Sequence, residues 1–278
     1  MSQSKAKPFI KWVGGKRQLI PQFKELNLLP PVNFDSNKNN YFEPFVGGGA
    51  IFFEITPINS IISDLNSQLI ITYNSVKNDV EKLIEKLKTY KNEKEFFLEA
   101  RNWDTNKLSE IEIALRFIYL NKTAFNGMYR VNKTGTFNVP FGKYSNPLIC
   151  DEDNLRSASK ILQNVKILNR GYKEVIKDAK EQDFIYFDPP YHPLNPTSSF
   201  TNYTSSGFNE NDQRELRDTF FELSGKGCFV LLSNSDTEFI RELYNKEGIK
   251  IQTVQAGRAI NSDSTKRGKI SELIISNY

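Results

Sequence analysis

The sequence is poor in the residues that build metal clusters and covalent staples. Two cysteines, Cys150 and Cys228, stand far apart in 278 residues, and His192 is the single histidine. Such a set supplies neither a disulfide framework nor a zinc site, so no metal is expected. Long apolar runs are also lacking: none reaches the length that spans a bilayer. The opening residues, Met1 to Lys16, hold no apolar core of the kind a signal peptide needs. The expectation is a soluble protein of a reducing, cytoplasmic compartment with no membrane partner. Internal repeats and low-complexity tails are missing too. A large excess of one charge sign is missing as well, the net charge being +4.

The distribution of charge says more than its sum. Between Ile113 and Cys150 there is no Asp or Glu, whereas Arg116, Lys122, Arg130, Lys133 and Lys143 fall there. Phe117, Tyr119, Phe125, Tyr129, Phe137, Phe141 and Tyr144 interleave them. Cations with planar side chains suit phosphates and bases. The same residues also fit a basic surface laid over an aromatic core.

A chain of this length allows one large domain, or a catalytic domain carrying a smaller one. Short apolar or β-branched runs predict strands at Tyr41-Phe42, Ile61 to Ser63, Val165 to Leu168, Phe184 to Phe187, Phe229 to Leu232, Ile249 to Ile251 and Leu273 to Ile275. Asn209 can cap a helix carrying Leu216, Phe220 and Leu223 that stops at Gly225. Ser235 and Glu238 form a capping box for the next helix, ending near Gly248. Strands alternating with helices imply a mostly parallel sheet covered on both faces.

The middle of the chain reads as helical. Val80, Leu83, Ile84 and Leu87 share one helical face, and Ser109 with Glu112 caps a long apolar helix. Tyr129 to Asn132 and Thr136 to Val139 flank Lys133-Thr134-Gly135, a hairpin signal with a glycine turn. The division expected is 1–66 and 155–278 as two parts of one catalytic α/β domain, with residues 67–154 inserted between them.

Three motifs carry chemistry. Asp188-Pro189-Pro190-Tyr191 directly follows the run Phe184 to Phe187. Its prolines stiffen the turn and place Asp188 at the carboxyl end of a strand, where open α/β sheets bind ligands. A carboxylate acceptor beside the Tyr191 ring suits a planar, amine-bearing base; the plain alternative is a tight turn with a surface Asp. Glu43-Pro44-Phe45-Val46-Gly47-Gly48-Gly49 follows the first strand and lets a ligand approach the backbone. Phe52 stands where a dinucleotide fingerprint would want glycine. Asp64, at the end of the next strand, can accept from ribose hydroxyls, so the pair points to an adenosine-type ligand. In Lys11-Trp12-Val13-Gly14-Gly15-Lys16, Trp12 offers a ring face and Lys16 a cation, which a sulfonium ligand with a carboxylate tail could use. Read alone, that segment is more simply a buried Trp and a surface Lys.

Taken in order, these motifs resemble the alpha-group DNA adenine-N6 methyltransferases of the Dam type. Asp64-Leu65-Asn66, the stretch Asn121 to Arg130 and Phe137 to Gly142 add to the likeness, which covers nearly the whole chain. The resemblance implies a class I methyltransferase fold: a Rossmann-like α/β sheet of seven strands, mixed because the last is antiparallel, with a mostly helical, hairpin-bearing target-recognition insertion. It implies S-adenosylmethionine as cofactor, held by Trp12, Lys16, Asp64 and Asp188 over the turn Gly47 to Gly49. Asp188, Pro189 and Tyr191 would hold the adenine. Phe125, Asn126, Met128, Arg130, Pro140 and Tyr144 would contact double-stranded DNA, with Phe125 and Asn126 filling the gap left by a flipped base and Arg130 reading a guanine. The set is most similar to readers of GATC, although Met128 stands where leucine is common and Lys143 where some members have arginine. Arg258 to Asn261 resembles the segment that packs near the flipped base. Whether a cognate restriction endonuclease works separately beside the enzyme is left open.

Two other readings compete. Methyltransferases acting on RNA or on protein glutamine more often carry Asn before Pro-Pro-Tyr, whereas this chain has Asp188. A DNA-binding module without activity would more readily have lost Asp188 or the glycine turn. A cytosine-C5 enzyme needs a cysteine after a proline, and Ile149 and Gly227 precede the two cysteines here.

Overall fold

All seven predicted runs form strands, and their order explains why the sheet binds at one edge. The structure, a computed structural model, describes residues 5–132, 135–194, 208–257 and 269–278. The strands are β1 (Tyr41–Glu43), β2 (Ser60–Asp64), β3 (Val165–Asn169), β4 (Phe184–Phe187), β5 (Phe229–Ser235), β6 (Lys250–Gly257) and β7 (Lys269–Ser276). They line up as β3-β2-β1-β4-β5-β7-β6, with β7 antiparallel to both its neighbours and β1 to β5 parallel. The order turns outwards in opposite directions from β1 and β4. The crevice beyond their carboxyl ends is therefore the switch point where such sheets take ligands.

The helices among the described residues are α1 (Ile20–Glu25), α2 (Ala50–Ile55), α3 (Ser67–Asn78), α4 (Val80–Leu87), α5 (Lys94–Arg101), α6 (Glu110–Thr123), α7 (Glu152–Leu162), α8 (Val175–Asp178), α9 (Glu210–Gly225) and α10 (Glu238–Tyr244). None is long and apolar enough to cross a membrane.

β4 is buried along its whole length, as a central parallel strand must be. Its side chains alternate between two cores. Phe184 and Tyr186 join Tyr41, Ile62 and Leu231 on one face, and Ile185 and Phe187 join Phe42, Val230 and Leu232 on the other. Leu216, Phe220 and Leu223 of α9 and Ile240 and Tyr244 of α10 close the second face. The first face merges with Leu83, Ile84 and Leu87 of α4 and with Phe117, Ile118 and Leu120 of α6. Burying one such side chain contributes about 1.5–3 kcal/mol. Helix α3 lies between these parts, packed on β2 and β3 and also on α6.

Local signals set most helix starts. Ser109 and Glu112 cap α6 reciprocally, and Asn209 and Asp212 do the same for α9. The start of α10 differs from expectation. The Thr237 hydroxyl, not that of Ser235, accepts from the Ile240 N–H at 3.3 Å. Ser235 instead donates to the carbonyl of His192. The helix also stops at Tyr244, short of Gly248, which lies in the turn before β6 at φ +81°. The hairpin is present as single bridges, Val131 opposite Phe137 and Ala124 opposite Phe141, rather than as continuous strands. Asn138 N–H donates to Arg130 at 3.0 Å and Asn132 N–H to Thr136 at 2.9 Å.

Candidate active site

Asp188 leaves the tip of β4 into the crevice, where its carboxylate meets the Lys16 ammonium at 2.7 Å. Lys16 is 4% exposed, donates to the Gly14 carbonyl at 2.5 Å, and lies 4.7 Å from the centroid of the Tyr191 ring. Tyr191 donates its hydroxyl to Glu272 of β7 at 2.7 Å. Burial pushes the Asp188 carboxyl up from 3.8 to about 6, despite the opposing pull of Lys16. Asp188 is thus an anion at neutral pH, half-buried beside the Lys16 ammonium. Burial, with Asp188 and Glu272 adding negative charge nearby, keeps the Tyr191 hydroxyl protonated.

The glycine turn closes the other side of the crevice. Gly47 and Gly49 take φ +46° and +68°, a region that side-chain-bearing residues rarely adopt. A Cβ on Gly47 would stand 2.6 Å from the Trp12 ring, and one on Gly49 would stand 2.8 Å from the Tyr73 hydroxyl. Asp64 reaches back from the end of β2 and accepts from Gly47 N–H at 3.2 Å and from Asn66 N–H at 2.9 Å. Burial raises its pKa against those two bonds. At the end of β1, Glu43 is 2% exposed and accepts from the Tyr41 hydroxyl at 2.6 Å. Burial takes its carboxyl up to about 8, so it is neutral at pH 7.

Trp12 joins this region to the insertion. Its ring stacks with Tyr129 at 5.9 Å and 16°, and Tyr129 stacks on Phe117 at 4.7 Å and 27°. One residue earlier, Lys11 is gripped through its backbone by Asn121, which accepts from its N–H and donates to its carbonyl, both at 2.8 Å. Asn121 also donates to Gly127 at 3.1 Å. Gly127 has no room for a side chain, since a Cβ there would stand 2.2 Å from Lys11 Cδ.

The edge of the insertion carries the other predicted contacts. Phe125 is 48% exposed, and Asn126, Arg130 and Pro140 are exposed beside it, with Met128 and Tyr144 half-buried. The Phe125 N–H donates to Pro140 at 2.9 Å, which ties the two segments together. Arg130 Nε donates to Asn138 Oδ1 at 2.7 Å.

The basic stretch is not one surface. Arg116 is 4% exposed and caps the end of α5, donating to Ala100 and Arg101 carbonyls at 2.7 Å each. A cation at a helix C-terminus meets the negative end of its dipole. Phe117, Tyr119, Tyr129 and Phe137 are core. Arg130 and Lys143 stay outside, Lys122 is half-buried, and Lys133 lies outside the described residues, as does Arg258 to Asn261.

The structure thus sets Lys16 and Tyr191 around Asp188 at the tip of β4, places Trp12 and Asp64 against the Gly47 to Gly49 turn at the tips of β1 and β2, and ties the segment Phe125 to Arg130 to Lys11 through Asn121 and Gly127. The sequence matches the family described as D12 class N6 adenine-specific DNA methyltransferase over residues 12–260. The chain belongs to that family. It is an adenine-specific DNA methyltransferase, and its substrate is DNA. This methyltransferase is 45% identical to a Type II methyltransferase of Lactococcus lactis subsp. cremoris, over 98% of its own length and 95% of the relative's. It is 45% identical to a Type II methyltransferase of Methanocaldococcus jannaschii, over 98% and 99%. A DNA adenine methylase of Vibrio cholerae is 34% identical over 97% and 95%.

Several polar residues of the crevice escaped the motif reading: Glu272 behind Tyr191, and Gln213, Asn234 and Ser235 behind the Asp188 loop. For Gln213 and Asn234 the signal was a polar side chain on an apolar face. Ser233-Asn234-Ser235 continues the run Phe229 to Leu232, and Gln213 shares the helical face of Leu216 and Phe220.

Proposed function

We propose that the chain moves a methyl group from S-adenosylmethionine to the N6 amine of an adenine flipped out of double-stranded DNA, at GATC or a related site. The observation that carries this reading is the Asp188 carboxylate at the tip of β4, paired with Lys16 at 2.7 Å, with the Tyr191 ring 4.7 Å from the same ammonium. The donor set fits the cofactor. Asp64, at the neighbouring strand end, is an acceptor for ribose hydroxyls, the Gly47 to Gly49 turn admits no side chain between it and Trp12, and Lys16 is a cation for a carboxylate tail. S-adenosylmethionine supplies the electrophilic methyl group on its sulfonium.

The N6 lone pair of adenine is delocalised into the ring and is a poor nucleophile. Asp188 and the Pro189 carbonyl accept its two hydrogens, which draws the nitrogen towards a tetrahedral geometry and localises the pair. As the N–C bond forms and the S–C bond breaks with its electron pair left on sulfur, Asp188 offsets the positive charge that develops on nitrogen, and the surplus N6 proton then passes to solvent. The Tyr191 ring holds the base flat. Aligning two bound reactants can supply up to about 7–11 kcal/mol, against a few kcal/mol for taking the base from the stack. Phe125 and Asn126 occupy the vacated place, Arg130 reads a guanine edge, and Met128, Pro140 and Tyr144 line the same DNA face. In this reading residues 67–154 are the target-recognition part and 1–66 with 155–278 the catalytic part. The Type II relatives make a separately acting restriction endonuclease a candidate partner.

Labelled S-adenosylmethionine with duplexes containing or lacking GATC tests the proposal. Label should enter adenine N6 of the GATC duplex alone. Label on every duplex alike would remove the assigned site, and none on any duplex would remove the donor or the target.

A further inference from the structure

The loop from Asp188 to His192 is held by side chains rather than by other backbone. Two of its residues are prolines, which have no N–H to give. Gln213 of α9 donates its amide to the Pro190 carbonyl at 2.9 Å. The His192 N–H donates to Asn234 Oδ1 of β5 at 3.0 Å, and the Ser235 hydroxyl donates to the His192 carbonyl at 2.5 Å. The two amides also join each other, Asn234 Nδ2 donating to Gln213 Oε1 at 3.0 Å. Gln213 and Asn234 are both 0% exposed. A polar group buried so deeply is costly unless it is paired, and here the pairing runs through the loop that carries the carboxylate.

The pattern is selective. The carbonyls on either side of Tyr191 are taken, whereas among the described residues the Pro189 carbonyl accepts no hydrogen bond. Both bracket groups are neutral amides. They add no charge beside Asp188 and do not titrate in the range where it does.

We infer that Gln213 and Asn234 are positioning residues for methyl transfer: a buried amide bracket that clamps the loop at Pro190 and His192 and leaves the Pro189 carbonyl and the Asp188 oxygen not paired with Lys16 to the substrate. The inference rests on the reading of those two groups as acceptors of the N6 hydrogens. Misplacing such a pair by about 1 Å can cost on the order of 10²-fold in rate, while cofactor and DNA contacts made elsewhere persist.

The test compares single-turnover methylation by Gln213→Met, which keeps length but removes donor and acceptor, with Ser235→Ala, which removes one hydroxyl. Gln213→Met should slow transfer roughly 10- to 100-fold and Ser235→Ala about threefold, with KM for S-adenosylmethionine and for the duplex unchanged in both. Transfer by Gln213→Met at the parent rate, or a loss confined to KM, overturns the bracket. Should Gln213→Met fail to fold, Ser235→Ala decides on the same criterion. Asp188→Ala is run alongside. If it still methylates, the underlying site reading fails; if it is inactive while Gln213→Met is normal, only the bracket does.

Discussion

At the tip of β4 each functional group is held from several sides, whereas the edge of the insertion offers its groups outward. Asp188 has Lys16 against it and a clamped loop beneath it, and Tyr191 is fixed at its hydroxyl by Glu272 and at its face by Lys16. Phe125 and Asn126 are exposed, and Arg130 is steadied chiefly by Asn138. The contrast follows from what each region does in the proposed reaction. Stabilising developing charge requires dipoles already in place, while reading a base edge requires unsatisfied donors that the duplex completes. Substitutions at the tip should therefore act on rate, and those at the edge on choice of sequence.

The largest effect tests the tip. Asp188→Ala should lower methyl transfer by at least about 10²–10³-fold without loss of folding, since burial makes this carboxylate costly to ionise in the native state. A purified variant with parental circular dichroism and parental activity would erase the contrast. The pH profile tests it more gently. With Asp188 titrating at about 6, the rate of the chemical step should fall as pH drops through that value and stay level above it; a flat single-turnover profile from pH 5 to 8 would contradict the assignment.

At the edge, Arg130→Ala should cost about 1–3 kcal/mol of discrimination at one guanine while the rate on the best remaining sequence holds. An equal loss on all duplexes would mark Arg130 as a phosphate contact. The joint between the regions comes next: Asn121→Ala removes the three hydrogen bonds of a buried side chain. It should lower stability by about 1–3 kcal/mol, read by denaturant unfolding. The last effect is on the pH dependence of stability and concerns Glu43. Its carboxyl sits at about 8 in the fold against an ordinary 4.5, so the folded state binds the extra proton between those values. That contribution is complete below 4.5 and is lost as pH rises through about 8. Glu43→Gln should flatten the decline of melting temperature over that window; an unchanged decline would show that another group causes it.

Much of the sheet was readable because parallel strands buried on both faces leave contiguous apolar runs, as Phe184 to Phe187 does. The caps of α6 and α9 were readable because both partners lie within four residues. Ser235 misled for the opposite reason: its hydroxyl serves His192, far away in sequence, and no local window shows that. The basic stretch misled because composition counts charges without their faces. From Ile113 to Asn121 α6 is buried all round, so Arg116 and Phe117 turn inward although nothing in their spacing marks them apart from Arg130. Glu272 was invisible because its partner, Tyr191, lies on a different strand end.

In the proposed division of labour, Asn121 and the Trp12 stack give the part that would read sequence and the part that would do the chemistry a common frame of reference. The joint does not lie at the borders of the insertion: half of it belongs to residues 11 and 12, at the far end of the chain. Transplanting residues 67–154 from a relative with another target sequence would carry Asn121, Phe117 and Tyr129 across but leave their counterparts behind. A recombinant designed to read a new sequence would have to exchange the N-terminal segment together with the insertion.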